Sequence, residues 1–243
     1  MNILIPALAF LLCAAPPDSC GLLMNAVRDG DAEKVQSLIS DGADVNCTVP
    51  PFGYTPLMWA AAEGQTKIAS ILIANKADIS YRNANGNSAF LLACEKGNGA
   101  VADLLIQGKV DINGKNSDGN TGLILAARNG YSEIAIQLIS LKTDVNVRNR
   151  AGWSALMEAA AEGRTEIMQQ LISAKAAVNV RDSIGNSCLM WAAMNNRADA
   201  VRLLLANGAD VNAANERRLS PLQVAERKGY KEIAETLRKA GGR

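Results

Sequence analysis

The chain has 243 residues, 49% apolar and 4% aromatic, enough for one or two ordinary domains. Lys and Arg number 25 against 24 Asp and Glu, and this near-neutral balance argues against non-specific nucleic-acid binding. Histidine is absent, which removes the commonest general base, metal ligand and neutral-pH switch.

Residues 3–15 are almost continuously apolar and end in Cys13-Ala14-Ala15-Pro16-Pro17. The run is too short to span a bilayer as a helix but has the length of a secretory signal's hydrophobic region. Residues 1–18 are therefore read as a signal peptide and the protein as exported, periplasmic or secreted. The alternative is a cytoplasmic protein whose apolar N-terminus packs on the neighbouring part of the chain. No basic residue precedes the run, and Pro16 directly follows the small-residue cleavage position.

From residue 19 onward the chain repeats. The stretch GYTPLMWAAAEG at 53–64 returns as GNSAFLLACEKG, GNTGLILAARNG, GWSALMEAAAEG and GNSCLMWAAMNN, each 33 residues further on, and as RLSPLQVAERKG from Arg218. Thr55, Ser88, Thr121, Ser154, Ser187 and Ser220 hold the N-cap position, with Pro56 and Pro221 at N1. Paired alanines follow. Gly64, Gly97, Gly130 and Gly163 then end the first helix in the left-handed conformation, with Asn196 in that role in the sixth unit. A second helix buries sets such as Ile68/Ile71/Leu72 and Val201/Leu204/Leu205 at helical spacing. The first unit, with helices near 22–27 and 32–40, lacks the Thr-Pro start, as suits a terminal unit. One residue is inserted between Asp44 and Thr55, so the loop holding Pro50-Pro51-Phe52 is expected to bulge. Gly122, and Gly97 and Gly99, mark where the middle of the array would fray, since a helical glycine costs up to about 1 kcal/mol against alanine, but the neighbouring repeats on both sides are expected to hold it. The last unit has helices at 221–228 and 231–239. Its eight basic and four acidic residues over 215–243 suit either a solvated cap or a docking patch for an acidic partner.

Thr55-Pro56-Leu57 with Ala60-Ala61 and Gly64, closed by phrases such as Gly208-Ala209-Asp210-Val211-Asn212, resembles the ankyrin repeat. The resemblance covers residue 19 to the end. It implies an all-α ankyrin-repeat solenoid of stacked helix-turn-helix units with β-hairpin loops. The boundaries are an N-terminal capping repeat at 19–51, five repeats of 33 residues at 52–216 and a C-terminal capping repeat at 217–243. It also implies a concave face, built from loop tips and first helices, that serves as a contact surface. Where the family often has a histidine three residues after the Thr, this chain has Met58, Leu91, Ile124, Met157, Met190 and Gln223. Fewer polar ties between loops are expected for that reason.

Two positions per repeat are left free by the pattern, the residue before the cap and the residue four after it. They hold all three tryptophans and Tyr54. Phe52, Tyr54 and Trp59 form one candidate cluster and Trp153, Trp191 and Met194 a second, because Trp and Tyr are over-represented at binding hot spots. Leu92, Leu125 and Glu158 occupy the same rows and complete the candidate partner-binding face. The blander reading of these aromatics is that they simply cover helix edges. Catalysis is not expected: Glu63, Glu95, Glu158 and Glu162 line the first helices without a pocket that would shift one of them. No cofactor or metal is expected, since the cysteines show no metal spacing. Cys94 and Cys188 are read as buried thiols. Cys20 and Cys47 share one repeat, where a bridge is conceivable in an exported protein. The expected function is non-catalytic binding of a partner protein, with an inhibitor or immunity-type protein that blocks an enzyme or toxin as the alternative. A monomer is expected, with no nucleic-acid or small-molecule ligand and no transmembrane span.

Overall fold

The computed structural model describes residues 19–243. The expectation of a signal peptide at 1–18, and Cys13 with it, lies outside the described residues. Fourteen helices follow in seven pairs among them: α1 (Ser19–Arg28) with α2 (Ala32–Ser40), α3 (Pro56–Ala62) with α4 (Thr66–Ala74), and α5 (Ala89–Lys96) with α6 (Gly99–Gln107). Then come α7 (Gly122–Asn129) with α8 (Ser132–Ser140), α9 (Ala155–Glu162) with α10 (Thr165–Ser173), α11 (Cys188–Met194) with α12 (Ala198–Ala206), and α13 (Pro221–Lys228) with α14 (Lys231–Lys239). None of these helices is long and apolar enough to cross a membrane.

Each first helix from α3 to α13 starts on its Ser or Thr, whose hydroxyl accepts the amide three residues on at 3.2–3.3 Å. Ser220 and Gln223 complete a reciprocal capping box at α13. Gly97, Gly130, Gly163 and Gly229 end their helices with positive φ, and Asn196 takes the same conformation at φ 57. The alanine pairs are fully buried, so first helices approach one another closely. They contact each other more extensively than the second helices do. The first-helix side is the one that the ankyrin resemblance gives as the concave contact face.

The loops depart from the hairpin expectation. Each turn closes with two backbone bonds on one residue, such as Asn83 N to Asn87 O at 3.0 Å with Gly86 N to Asn83 O at 2.8 Å, and Asn149 N to Trp153 O at 3.0 Å with Gly152 N to Asn149 O at 2.9 Å. Only isolated bridges result, at Val49–Tyr54 and Arg181–Ser187, and no strand forms among the described residues, because the stems are too short for a ladder. The inserted residue shows as expected: Val49 N reaches Tyr54 O across one more residue than in the later turns, and Phe52 stands out, 44% exposed.

Polar ties between loops are numerous, which corrects the expectation from the missing histidines. Asparagine and arginine do that work instead. Asn46, Asn146, Asn179 and Asn212 each bridge to the backbone of the next loop, and Arg82 and Arg181 donate to Lys115 O and Ala214 O. The glycine-rich middle is also better built than its composition suggests. A Cβ at Gly122 would lie 2.9 Å from the Cys94 Sγ and 3.0 Å from the ring of fully buried Phe90, so the glycine makes room for that ring. The Tyr131 ring lies directly on Gly97.

At the N-terminal end a disulfide joins Cys20 at the start of α1 to Cys47 in the following loop, with Cα atoms 5.8 Å apart. Cys94 and Cys188 are buried free thiols. Burial pushes the Cys188 pKa up to about 12 and raises that of Cys94 further.

Candidate functional site

The concave face is ordered by an amide ladder. The residue at 83, 116, 149, 182 and 215 closes each turn by accepting two backbone amides on its Oδ1, as Asn149 does from Ala151 N at 3.0 Å and Trp153 N at 2.9 Å. Where that residue is Asn, its free amide looks back one repeat. Asn116 Nδ2 donates to Asn87 Oδ1 at 3.1 Å, Asn149 to Asn120 at 2.9 Å and Asn215 to Asn186 at 2.8 Å.

The ladder changes chemistry at Trp153. An indole offers no acceptor, so an Asn at 182 would have nothing to donate to. The residue there is Asp182, whose second oxygen instead accepts from Trp191 Nε1 at 2.9 Å. Trp153 and Trp191 then stack with centroids 4.5 Å apart at 49°. Both are half-buried, and Met194 beside them on α11 is half-buried too.

The N-terminal cluster is built from the same rows with different parts. The Tyr54 and Trp59 centroids are 5.9 Å apart at 48°. Val49 stands at the ladder position and carries no oxygen, so the buried Trp59 Nε1 has no partner. Asn83 lies close enough to Tyr54 to pull its pKa down slightly, yet its buried Nδ2 makes no hydrogen bond of normal geometry. Burial first, then the charge of Glu95, outweigh that pull and leave the Tyr54 pKa raised.

Between the clusters the face is polar. A concavity of about 250 Å³ is lined by Asn87, Glu95, Lys96, Asp118 and Arg128 among others. Leu92 and Leu125, expected to project toward a partner, are each 2% exposed and form its floor. Glu158 is likewise enclosed, 5% exposed, and receives Arg128 Nη2 at 2.5 Å. Burial raises its pKa more than Arg128 lowers it, because the carboxylate is nearly sealed while the guanidinium still reaches water. Glu158 is thus a structural ion-pair member of the face. Phe52, Tyr54, Trp59, Trp153, Trp191 and Met194 are the predicted residues that keep exposed surface.

One apolar residue escaped the sequence reading. Ile184, 51% exposed, sits at the tip of the turn before α11. Four intervals of 33 separate it from Phe52, so the two hold the same loop position, and that arithmetic was available in the sequence.

The repeat geometry agrees with the family comparison. The family model for ankyrin repeats (3 copies) matches residues 23–116, 101–182 and 156–242. The chain belongs to the ankyrin-repeat family. No curated protein matches it. Ankyrin repeats are in general protein–protein interaction modules and typically non-enzymatic scaffolds, and the expected partner of this array is a protein.

Proposed function

We propose that this ankyrin array is a monomeric, non-catalytic binding protein that holds a partner protein in its concave face, with the Trp153–Trp191 pair as the main anchor. The observation that carries this reading is the stacked pair itself, half-exposed and fixed by the Asp182 bond. Rigid aromatic surface binds without a large ordering cost, and Trp is the residue type most enriched at hot spots. Phe52 and Tyr54 at the other end supply a weaker second contact. The protein is further proposed to be exported, which fits both the apolar run at 3–15 and the Cys20–Cys47 bridge, since disulfides persist in oxidising compartments.

A photo-crosslinking residue placed at Ile184 on the concave side, and at exposed Leu141 after α8 as a control, tests the binding reading in native cells. Adducts are expected from Ile184 only, and Trp153→Ala with Trp191→Ala should abolish them while circular dichroism stays unchanged. Adducts that survive the double change, or form equally from Leu141, overturn it. Export is tested by intact mass after cell fractionation: recovery outside the cytoplasm with a loss of about 1.5–2 kDa is expected, as removal of a signal would give. A full-length cytosolic chain overturns it.

A further inference from the structure

Charge is unevenly spread along the array although the whole chain is near neutral. Residues 119–243 carry 17 Lys and Arg against 12 Asp and Glu, whereas residues 19–118 carry 8 against 11. In the C-terminal half much of this excess stands around the tryptophan pair. The turns carrying Arg150, Ile184 and Arg217 lie side by side, joined by Ser183 N to Ala151 O at 3.0 Å and Glu216 N to Ile184 O at 3.3 Å. Arg227 on α13 holds the same repeat position as Met194 on α11, one repeat further on. Arg150, Arg217 and Arg227 are all exposed, and their side chains make no hydrogen bond or ion pair among the described residues. The contrast with neighbouring arginines is informative. Arg128, Arg197, Arg202 and Arg238 all have carboxylate partners, and Arg148 and Arg181 donate to the backbone. Arg164, Arg218 and Arg243 are exposed and unpaired as well, so what sets Arg150, Arg217 and Arg227 apart is their place on the turns and the helix flanking the apolar patch.

We propose that this end of the concave face binds an acidic protein segment bearing an apolar anchor side chain. The anchor seats on Trp153, Trp191 and Ile184, and carboxylates on either side of it meet Arg150, Arg217 and Arg227. This rests on the concave-face reading above and specifies the partner's chemistry. Two steps between adjacent repeats span roughly 20 Å, which about six or seven residues cover in extended form. The segment is therefore short, with its acidic residues within a few positions of the anchor. A forked guanidinium favours carboxylate geometry, and aromatic flanks favour an apolar neighbour. A nucleic-acid strand fits less well. Its phosphates need a continuous basic track, and here Glu216 stands next to Arg217, with Glu162 and Glu226 on the adjoining helices.

The test is selection of random peptides of about 12 residues displayed on phage against the full chain, followed by fluorescence anisotropy with the enriched peptides. Enrichment of net-acidic peptides with a Leu, Phe or Trp is expected. Arg217→Glu with Arg227→Glu should weaken their binding by tenfold or more, and raising the salt should weaken wild-type binding. These arginines are exposed and unpaired, so the variant is expected to keep its circular dichroism and melting temperature. Arg217→Ala with Arg227→Ala should show an intermediate loss. Enrichment of neutral or basic peptides, no enrichment at all, or affinity unchanged by charge reversal overturns the proposal. Tighter binding of a labelled oligothymidylate than of any acidic peptide, with the same arginine dependence, overturns it in favour of nucleic acid. If the peptides fail while crosslinking at Ile184 still depends on the two tryptophans, the concave-face reading stands and the acidic partner is wrong.

Discussion

The two aromatic clusters occupy the same rows of the same repeat, yet one is finished and the other is not. At the C-terminal cluster every buried polar group is accounted for: Asp182 closes its turn on two amides and takes the Trp191 indole on its other oxygen. At the N-terminal cluster the turn residue is Val49, and two buried polar atoms, Trp59 Nε1 and Asn83 Nδ2, have no partner; Gln65 Oε1, in the turn between α3 and α4, is a third. A buried polar group left unsatisfied costs roughly 1–3 kcal/mol, so the N-terminal end carries a local deficit. It is also the end closed by the Cys20–Cys47 disulfide, and α1 contacts α3 less than other first helices contact their neighbours. In a stacked array each repeat feels mainly its neighbours, and the covalent bridge stabilises the repeat next to this deficit.

The sharpest way to break this comparison is to remove the bridge. Closing a loop of 27 residues is worth about 3–4 kcal/mol in the chain-entropy picture. Cys20→Ser with Cys47→Ser should lose about that much, and amide exchange should show it over α1–α4 while α9–α14 keep their protection. Uniform loss along the array would mean that the two ends are not separate units. In the native wild type, Cys94 and Cys188 should not react with a thiol reagent at pH 8, because burial keeps them protonated.

The next effect lies at the other cluster. Asp182→Ala removes three hydrogen bonds to a carboxylate and should cost about 2–3 kcal/mol. Val49→Ala at the corresponding position should cost under about 1 kcal/mol, since Val49 is only partly buried and bonds nothing through its side chain. Urea unfolding read by tryptophan fluorescence, with Trp59→Phe to isolate the C-terminal pair, separates the two. Equal losses would show that the Asp182–Trp191 bond does not set the difference between the clusters. The converse repair is smaller and opposite in sign: Val49→Asp offers Trp59 Nε1 the acceptor that Trp191 has, and should raise stability by about 1 kcal/mol. No gain, or a loss, would mean that the inserted residue in this turn keeps the new carboxylate out of reach.

The period of 33 made the frame of this molecule legible. Caps, positive-φ glycines, buried helix faces and the ends of the last two helices all derive from it, because each depends on neighbours within a few residues. What escaped depends on residues about one repeat apart, which no local pattern displays. The burial of Leu92 and Leu125 is set by flanking first helices, and the Arg128–Glu158 pair spans 30 residues. Gly122 looked like a weakness and is a space made for Phe90. Asp182 was one letter away from a row of asparagines at 83, 116, 149 and 215. It becomes interpretable only with Trp153 one repeat earlier and Trp191 nine residues later.

Glu158 provides the finest comparison, because it holds in the fifth repeat the position held by Trp59 in the second and Trp191 in the sixth. Burial raises its pKa in the folded chain despite Arg128. A carboxyl with a raised folded pKa adds to stability while protonated, below its unfolded value, and that contribution is lost as pH rises through the folded value. At neutral pH the ionised group is therefore held at a net cost. Glu158→Gln keeps an acceptor for Arg128 but cannot titrate. The stability of wild type relative to this variant should grow as pH falls from 7 toward the ordinary glutamate pKa of about 4.3. Thermal melts of the two proteins across that window read the sign directly. A difference that shrinks on acidification would mean that Arg128 governs the titration, with the carboxylate stabilised by its ion pair more than it is penalised by burial.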